Sequence, residues 1–326
     1  MDRDRRPRVR PGLSVVVPSR GPAARLRATL ACLAAAGPGG PGFETLVVDD
    51  NPPGSPDGPQ LAAVARELGG LLPLRVVPGR CLGRAAARNT GAAAARAPRL
   101  VFLDDDVLVG PGFLAAHAAA ARPGVFVHGM TRELPTAARF LRQAEGGSPE
   151  AVQRARAGLD PAAPAPGAAR PARRLVANAL ERAVEAMDCG TLPDAAPWLG
   201  FVGANSSVDR ADWERCGGFD EGFGTVWGCE DLELGLRLHA SGTVRALAPA
   251  ALGVHLSHAR PGRWEQHAVN LGRFAARHPL PSVRALPALL GPEGSPEAYV
   301  RAVRAHEAAA PAPLPGRAAA LGEVPR

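Results

Sequence analysis

The sequence predicts an α/β fold with a mostly parallel central sheet flanked by helices. Short apolar runs alternate with helix-period segments from Leu13 to Leu103. The runs are continuously apolar, as expected of strands covered on both faces, rather than alternating like a sheet with one wet side. Polar clusters follow three of them, at the carboxyl ends where such sheets place their ligands.

Leu13-Ser14-Val15-Val16-Val17 is a β-branched run that Pro18 is expected to end. Arg25 to Ala36 carries Leu26, Leu30 and Leu33 on one helical face and stops at Gly37-Pro38. Thr45 to Val48 is the second strand, closing on Asp49-Asp50-Asn51-Pro52-Pro53. A second helix covers Leu61 to Leu68, and a third strand runs from Leu74 to Val77. Arg84 to Ala95 is the third helix and Leu100 to Leu103 the fourth strand, which runs into Asp104-Asp105-Asp106.

Composition excludes more than it assigns. The 38 basic residues are all arginine and the formal charge is +7. With no basic stretch interleaved with aromatics, the charge reads as codon bias rather than as a nucleic-acid surface. The arm MDRDRRPRVR within residues 1–11 reads as a disordered basic leader. Five scattered cysteines without a CxxC pair suggest neither zinc nor a disulfide framework and fit a reducing cytoplasm. The N-terminus lacks an apolar signal core, and no run approaches the roughly 18 residues of a membrane span. Membrane contact is expected to be peripheral at most.

Residues 12–130 read as one half of the fold and residues 196–280 as the other, with structure resuming at Trp198. Between them, residues 131–195 hold an insertion, whose part from Glu145 to Arg174 is poor in large apolar residues. It reads as flexible with some helix, either a tolerated surface loop or a lid. Residues 281–326 read as a Pro/Ala-rich tail with one helix near Pro296 to Ala309.

Three segments carry chemistry. A divalent cation takes carboxylate oxygens and shares them with phosphates, and in an extended chain Asp104 and Asp106 point to one side with Asp105 opposite. In WGCEDLELGLRLHASG, Trp227-Gly228 makes a bend, Glu230-Asp231 opens a helix, and Leu232, Leu236 and Leu238 form its apolar face. The bland alternative is a capped helix with Glu233 and Arg237 as a surface pair. GFVGANSSVDRADWERCGGFDEGFG offers small residues for close backbone approach and hydrogen-bonding groups at Asn205-Ser206-Ser207.

In this order, LSVVVPSR, LVVDDNPPGS, GRAAARNTGAAAA, FLDDDVLVGPGFL, GANSSVDR, GGFDEGF, WGCEDLELGLRL and ALGVHLSH resemble the family 2 glycosyltransferases, which have the Rossmann-like GT-A fold. The resemblance covers residues 12 to 260 apart from the insertion. It implies that Pro18 and Arg20 line a nucleotide pocket and that Asp50, helped by Asp49, holds the base edge. Arg88 and Asn89 would lie near the nucleotide and support the aspartate loop. Asp104 and Asp105 would face the ribose and diphosphate. Asp106 would bind Mn²⁺ or Mg²⁺ with Asp104 and His255, with His258 as the rival histidine. Asp231 would be the catalytic base and Glu230 its positioning partner, with Gly203, Asn205, Trp227 and Gly228 on the acceptor side. The implied partners are a nucleotide-diphosphate sugar and an acceptor hydroxyl. The base lies on a different segment from the aspartate trio, which implies attack from the face opposite the leaving group, with inversion. A catalytically silent nucleotide-sugar-binding scaffold is the alternative. The entry loop PSRGPAARL is shorter than the family's usual version, and the insertion, roughly Met130 to Ala195, falls where acceptor specificity is built.

Overall fold

The computed structural model describes residues 11–37, 40–144, 147–159, 175–259 and 261–309. The first half follows the predicted order: β1 (Leu13–Ser19), α1 (Ala23–Ala35), β2 (Phe43–Asp49), α2 (Asp57–Leu68), β3 (Leu74–Pro78), α3 (Arg84–Ala94) and β4 (Arg99–Leu103). These strands pair in parallel in the order β3-β2-β1-β4. Pro18 does not end β1, which runs on to Ser19. Beyond Val16 the strand pairs only with β2, so proline's missing N–H falls where β4 no longer runs alongside.

β5 (Val107–Val109), α4 (Phe113–Ala120) and β6 (Val125–Glu133) come next, followed by α5 (Ala137–Ala144), α6 (Pro149–Ala157) and α7 (Ala179–Asp188). β7 (Asn205–Asp209), α8 (Arg210–Arg215), α9 (Glu230–Ala240) and β8 (Val244–His255) complete the sheet elements. The sheet continues from β4 as β7-β6-β8-β5, with β7 antiparallel to β4 and β6, β6 parallel to β8, and β5 antiparallel to β8. The chain closes with α10 (Arg263–Arg277), α11 (Pro281–Arg284), α12 (Pro287–Leu290) and α13 (Pro296–Ala308).

Apolar packing covers both sheet faces. Leu26, Leu30 and Leu33 of α1 join Val15, Val17 and Val101 on one side. On the other, α3 presses so close that a Cβ on Gly91 would stand 2.4 Å from Val16 Cγ1, so the glycine sets the contact.

Two expectations need correction. Structure resumes well before Trp198: Val176 bridges Glu133, and α7 starts at an Asn178 side chain that caps the Glu181 N–H at 2.9 Å. Residues 281–308 are also no loose tail, because Val283, Leu286, Leu289, Tyr299 and Val303 are buried against Val184, Met187, Trp198 and Phe274. The predicted helix there is α13. The basic leader, apart from Pro11, and most of the low-complexity stretch from Glu145 to Arg174 lie outside the described residues. Among the described residues, no helix is long and apolar enough to cross a membrane.

Candidate functional site

The carboxyl ends of β1, β2 and β4 converge on a cleft of about 410 Å³ lined by Pro18, Arg20, Asp50, Arg84 and Asp104 to Asp106. A second cleft of about 440 Å³ adjoins it, reaching Glu133, Asp231, His255, Arg263, Trp264 and Leu289. Arg84, Asp104, Asp106, Trp227 and His258 line both.

The aspartate trio divides its work. Asp105 turns toward β1, where its Oδ2 accepts from the Ser19 hydroxyl at 2.6 Å. Burial and the neighbouring Asp106 charge push its carboxyl up to about 7. Asp104 and Asp106 face the second cleft as well as the first; the trio forms a turn, closed by the Val107 N–H on the Asp104 carbonyl, rather than the extended segment the sequence suggested. Asp104 is held by Arg88 at 2.8 Å and stands outside the three-residue group that could hold a metal, which is Asp106, His255 and His258. The two histidines, expected as rivals, both belong to that group. His255 Nε2 is 3.4 Å and His258 Nδ1 3.5 Å from Asp106 Oδ2. Burial opposes ionisation of Asp106, yet the two histidines, His255 foremost, outweigh it and hold the carboxyl down at about 2. Asp106 Oδ1 is buried and finds no hydrogen-bond partner among the described residues. One carboxylate oxygen without a donor beside two imidazoles suits a divalent cation.

Arg88 ties this edge to α9. It is fully buried, and its guanidinium bonds Asp104 Oδ1 and Glu230 Oε1, each at 2.8 Å, beneath the Phe219 ring. Gly203 makes room for it, since a Cβ there would lie 2.5 Å from Arg88 Cζ. Burial disfavours a charged Glu230, but Arg88 more than offsets this and keeps its carboxyl below the usual range. Next to it Asp231 accepts from the Gly203 and Leu232 N–H groups at 2.9 Å each. Burial, then repulsion from Glu230, lifts the Asp231 carboxyl to about 6. One helix start thus carries two adjacent carboxylates with opposite shifts. Glu233 is not at the surface: it is fully buried, bound by Arg237 and His278.

At the other end, Asp50 lies in the first cleft and accepts the Cys81 N–H at 2.7 Å, with burial raising its carboxyl. Asp49 points elsewhere, bonding the Asn51 backbone and side chain. Pro18 and Arg20 line the first cleft, and Trp227 and Gly228 the second. Two residues expected at the site are placed away from it. Asn89 clamps Phe219 through both its amide oxygen and nitrogen. Asn205 is fully buried, donating to the Met130 and Ala251 carbonyls. Asn89 also donates to Glu221 and Asn205 also pairs with His117, so each amide is engaged away from the clefts. Sequence reasoning missed Glu133, Arg263 and Trp264, which no short motif surrounds, and Arg84, which stands four residues before Arg88 in the GRAAARN motif.

Residues 14–141 match the family described as Glycosyl transferase family 2, and residues 194–258 match the N-terminal domain of galactosyltransferase. The chain is 35% identical over 280 residues to validoxylamine A glucosyltransferase of Streptomyces hygroscopicus subsp. jinggangensis, covering 82% of this chain and 61% of that protein. The enzyme of the same name from subspecies limoneus is equally similar, with 57% of its length covered. The chain therefore spans about three fifths of the length of these relatives. A solved mannosyltransferase from Pyrobaculum calidifontis, in complex with GDP-Man and Mn²⁺, shares the fold at a TM-score of 0.52 and 20% identity, covering 92% of this chain and 70% of that one. Residues 14–141 thus match glycosyl transferase family 2, and the chain carries the GT-A fold.

Proposed function

We propose that the chain transfers a sugar from a nucleotide-diphosphate sugar to a hydroxyl of a small acceptor, with inversion, using Asp231 as general base. The observation that carries this is the Asp231 carboxylate: half-buried, held by two N–H groups, raised to about 6, and set in the second cleft where it adjoins the first. Such a group is ionised near neutrality and still basic enough to take a proton. In the reaction, the bond from the anomeric carbon to the diphosphate breaks with its electron pair going to the diphosphate. The acceptor oxygen bonds that carbon from the opposite face, and its proton passes to Asp231.

The donor fits the first cleft, where Arg20, Arg25 and Arg84 offer positive charge to phosphates and Asp50 lies at the far end for the base. Asp106, His255 and His258 would hold Mn²⁺ or Mg²⁺. When bound, the cation neutralises charge building on the departing diphosphate. Arg88 holds Asp104 and Glu230 in register with one another, which orients Asp231 through its neighbour. Trp227, Trp264 and the Arg263 guanidinium stacked over both rings form a flat wall suited to a ring-shaped polyol. The validoxylamine A glucosyltransferases it resembles support a natural-product acceptor. A silent donor-binding scaffold would have no use for Asp231 with its raised pKa.

A thermal-shift panel of UDP-, GDP- and dTDP-sugars, each with and without Mn²⁺, tests the donor half of the proposal. A metal-dependent rise with one nucleotide is expected, about 2.7 kcal/mol of added stability at a hundredfold excess over Kd. No shift with any of the three contradicts it.

A further inference from the structure

Glu133 ends β6, far in sequence from both His255 and the aspartate trio, yet three strands line the groups up. In the sheet register His255 stands opposite Val107 of β5 on one side and opposite Glu133 on the other. The Leu256 N–H donates to the Asp106 carbonyl at 2.8 Å, and the Leu134 N–H to the His255 carbonyl at 2.9 Å, so backbone bonds fix the row. Side chains follow the same order. His255 has Asp106 near Nε2 at 3.4 Å and Glu133 Oε2 at Nδ1 at 2.7 Å.

Glu133 is itself held from three directions. Its Oε2 also accepts from the Ser257 hydroxyl at 2.6 Å, and its Oε1 from the Asn178 amide at 3.3 Å. Its backbone exchanges hydrogen bonds with Val176 at 2.8 and 3.0 Å, the stretch that leads into α7 and the wall of the second cleft. A carboxylate that served only as a counter-charge would need none of this bracing.

We propose that Glu133 is the positioning residue of the cation cluster, fixing His255 with its proton on Nδ1 and its Nε2 turned toward Asp106, and tying that histidine to the second cleft's wall. The inference rests on the reading that Asp106, His255 and His258 hold a divalent cation. A histidine that offers Nε2 to a cation keeps its proton on Nδ1, and a carboxylate on that N–H sets both ring rotation and ligand basicity. Glu133 faces no reacting atom in this arrangement and acts through His255.

The test is calorimetric titration of the full chain with Mn²⁺ alone, comparing the parent with Glu133→Gln, an isosteric change that removes the charge. The expected result is a 10- to 100-fold weaker Mn²⁺ affinity, with the melting temperature before metal addition unchanged. A parent that binds Mn²⁺ and a Glu133→Gln chain that binds it equally well overturn the role of Glu133 while leaving the cation reading intact. A parent that takes up no Mn²⁺ overturns both. Should Glu133→Gln fail to fold, long-range ¹H–¹⁵N spectra of the Mg²⁺-loaded parent decide the matter. His255 protonated at Nδ1 supports the proposal, and protonation at Nε2 overturns it.

Discussion

The sheet up to β4 and the structure beyond it are assembled differently. From Leu13 to Leu103 strands and helices alternate, β2 and β3 stepping outward from β1 and β4 crossing back to pair in parallel with the other side of β1. Beyond β4 the neighbours come from afar: β4 pairs with β7, β6 lies between β7 and β8, and the short β5 finds β8 at the edge. The first region builds a cleft from consecutive turns, the second from segments scattered over the rest of the chain. The charges differ too. The first cleft sets Arg20, Arg25 and Arg84 beside Asp50 and the aspartate trio, whereas the second shares Arg84 and joins Arg88 and Arg263 to Glu133, Glu181, Glu230 and Asp231. Local βα units thus make the first cleft, and long-range closure completes the second.

Arg88 is a fully buried link between the two regions, so breaking it is expected to have the largest effect on stability. Arg88→Met leaves Asp104 and Glu230 without their shared cation, one of them buried. The expected loss is about 3–5 kcal/mol, read from the denaturant midpoint. A loss under 1 kcal/mol would mean that the two regions do not depend on this bridge.

The same contrast explains what was legible. Strands β1 to β4 and helices α1 to α3 could be read because each buries a continuous apolar run or a single helical face, signals contained within a dozen residues. Asp50, Asp104 to Asp106 and Glu230-Asp231 were legible because polar groups at strand ends and a helix start stand out against such runs. Glu133 and Trp264 were not, since nothing in their own neighbourhoods marks them; only the β6–β8 pairing and the start of α10 bring them to the cleft. Asn89 and Asn205 turn away from the clefts for the converse reason. Their motifs are local, but the backbone groups that engage their amides are not. The Asn178-x-x-Glu181 start of α7 was a readable cap hidden behind a low-complexity stretch.

A smaller effect is expected at the wall of the second cleft. Trp264 is 40% exposed and stacked with Arg263, so Trp264→Ala should leave the fold intact. It is expected to raise the acceptor KM about tenfold, some 1.4 kcal/mol, with donor affinity unchanged. An equal loss of donor affinity would erase the division between the clefts.

The central claim is that Asp231 takes the acceptor proton, and Asp231→Asn tests it most directly through turnover, donor binding and pH dependence on the same preparation. Because the folded carboxyl lies near 6, above its usual range, the parent's kcat/KM should rise with pH through that value and level off above it. The sign for stability is opposite: the half-buried charge is unfavourable once ionised, so the parent should lose stability relative to Asp231→Asn as pH climbs from about 4 to 6. The account predicts a variant that binds donor and Mn²⁺ as the parent does, is at least as stable at pH 7.5, and turns over about 10²- to 10⁴-fold more slowly. Turnover within a few-fold of the parent, with the same rise near pH 6, would contradict it.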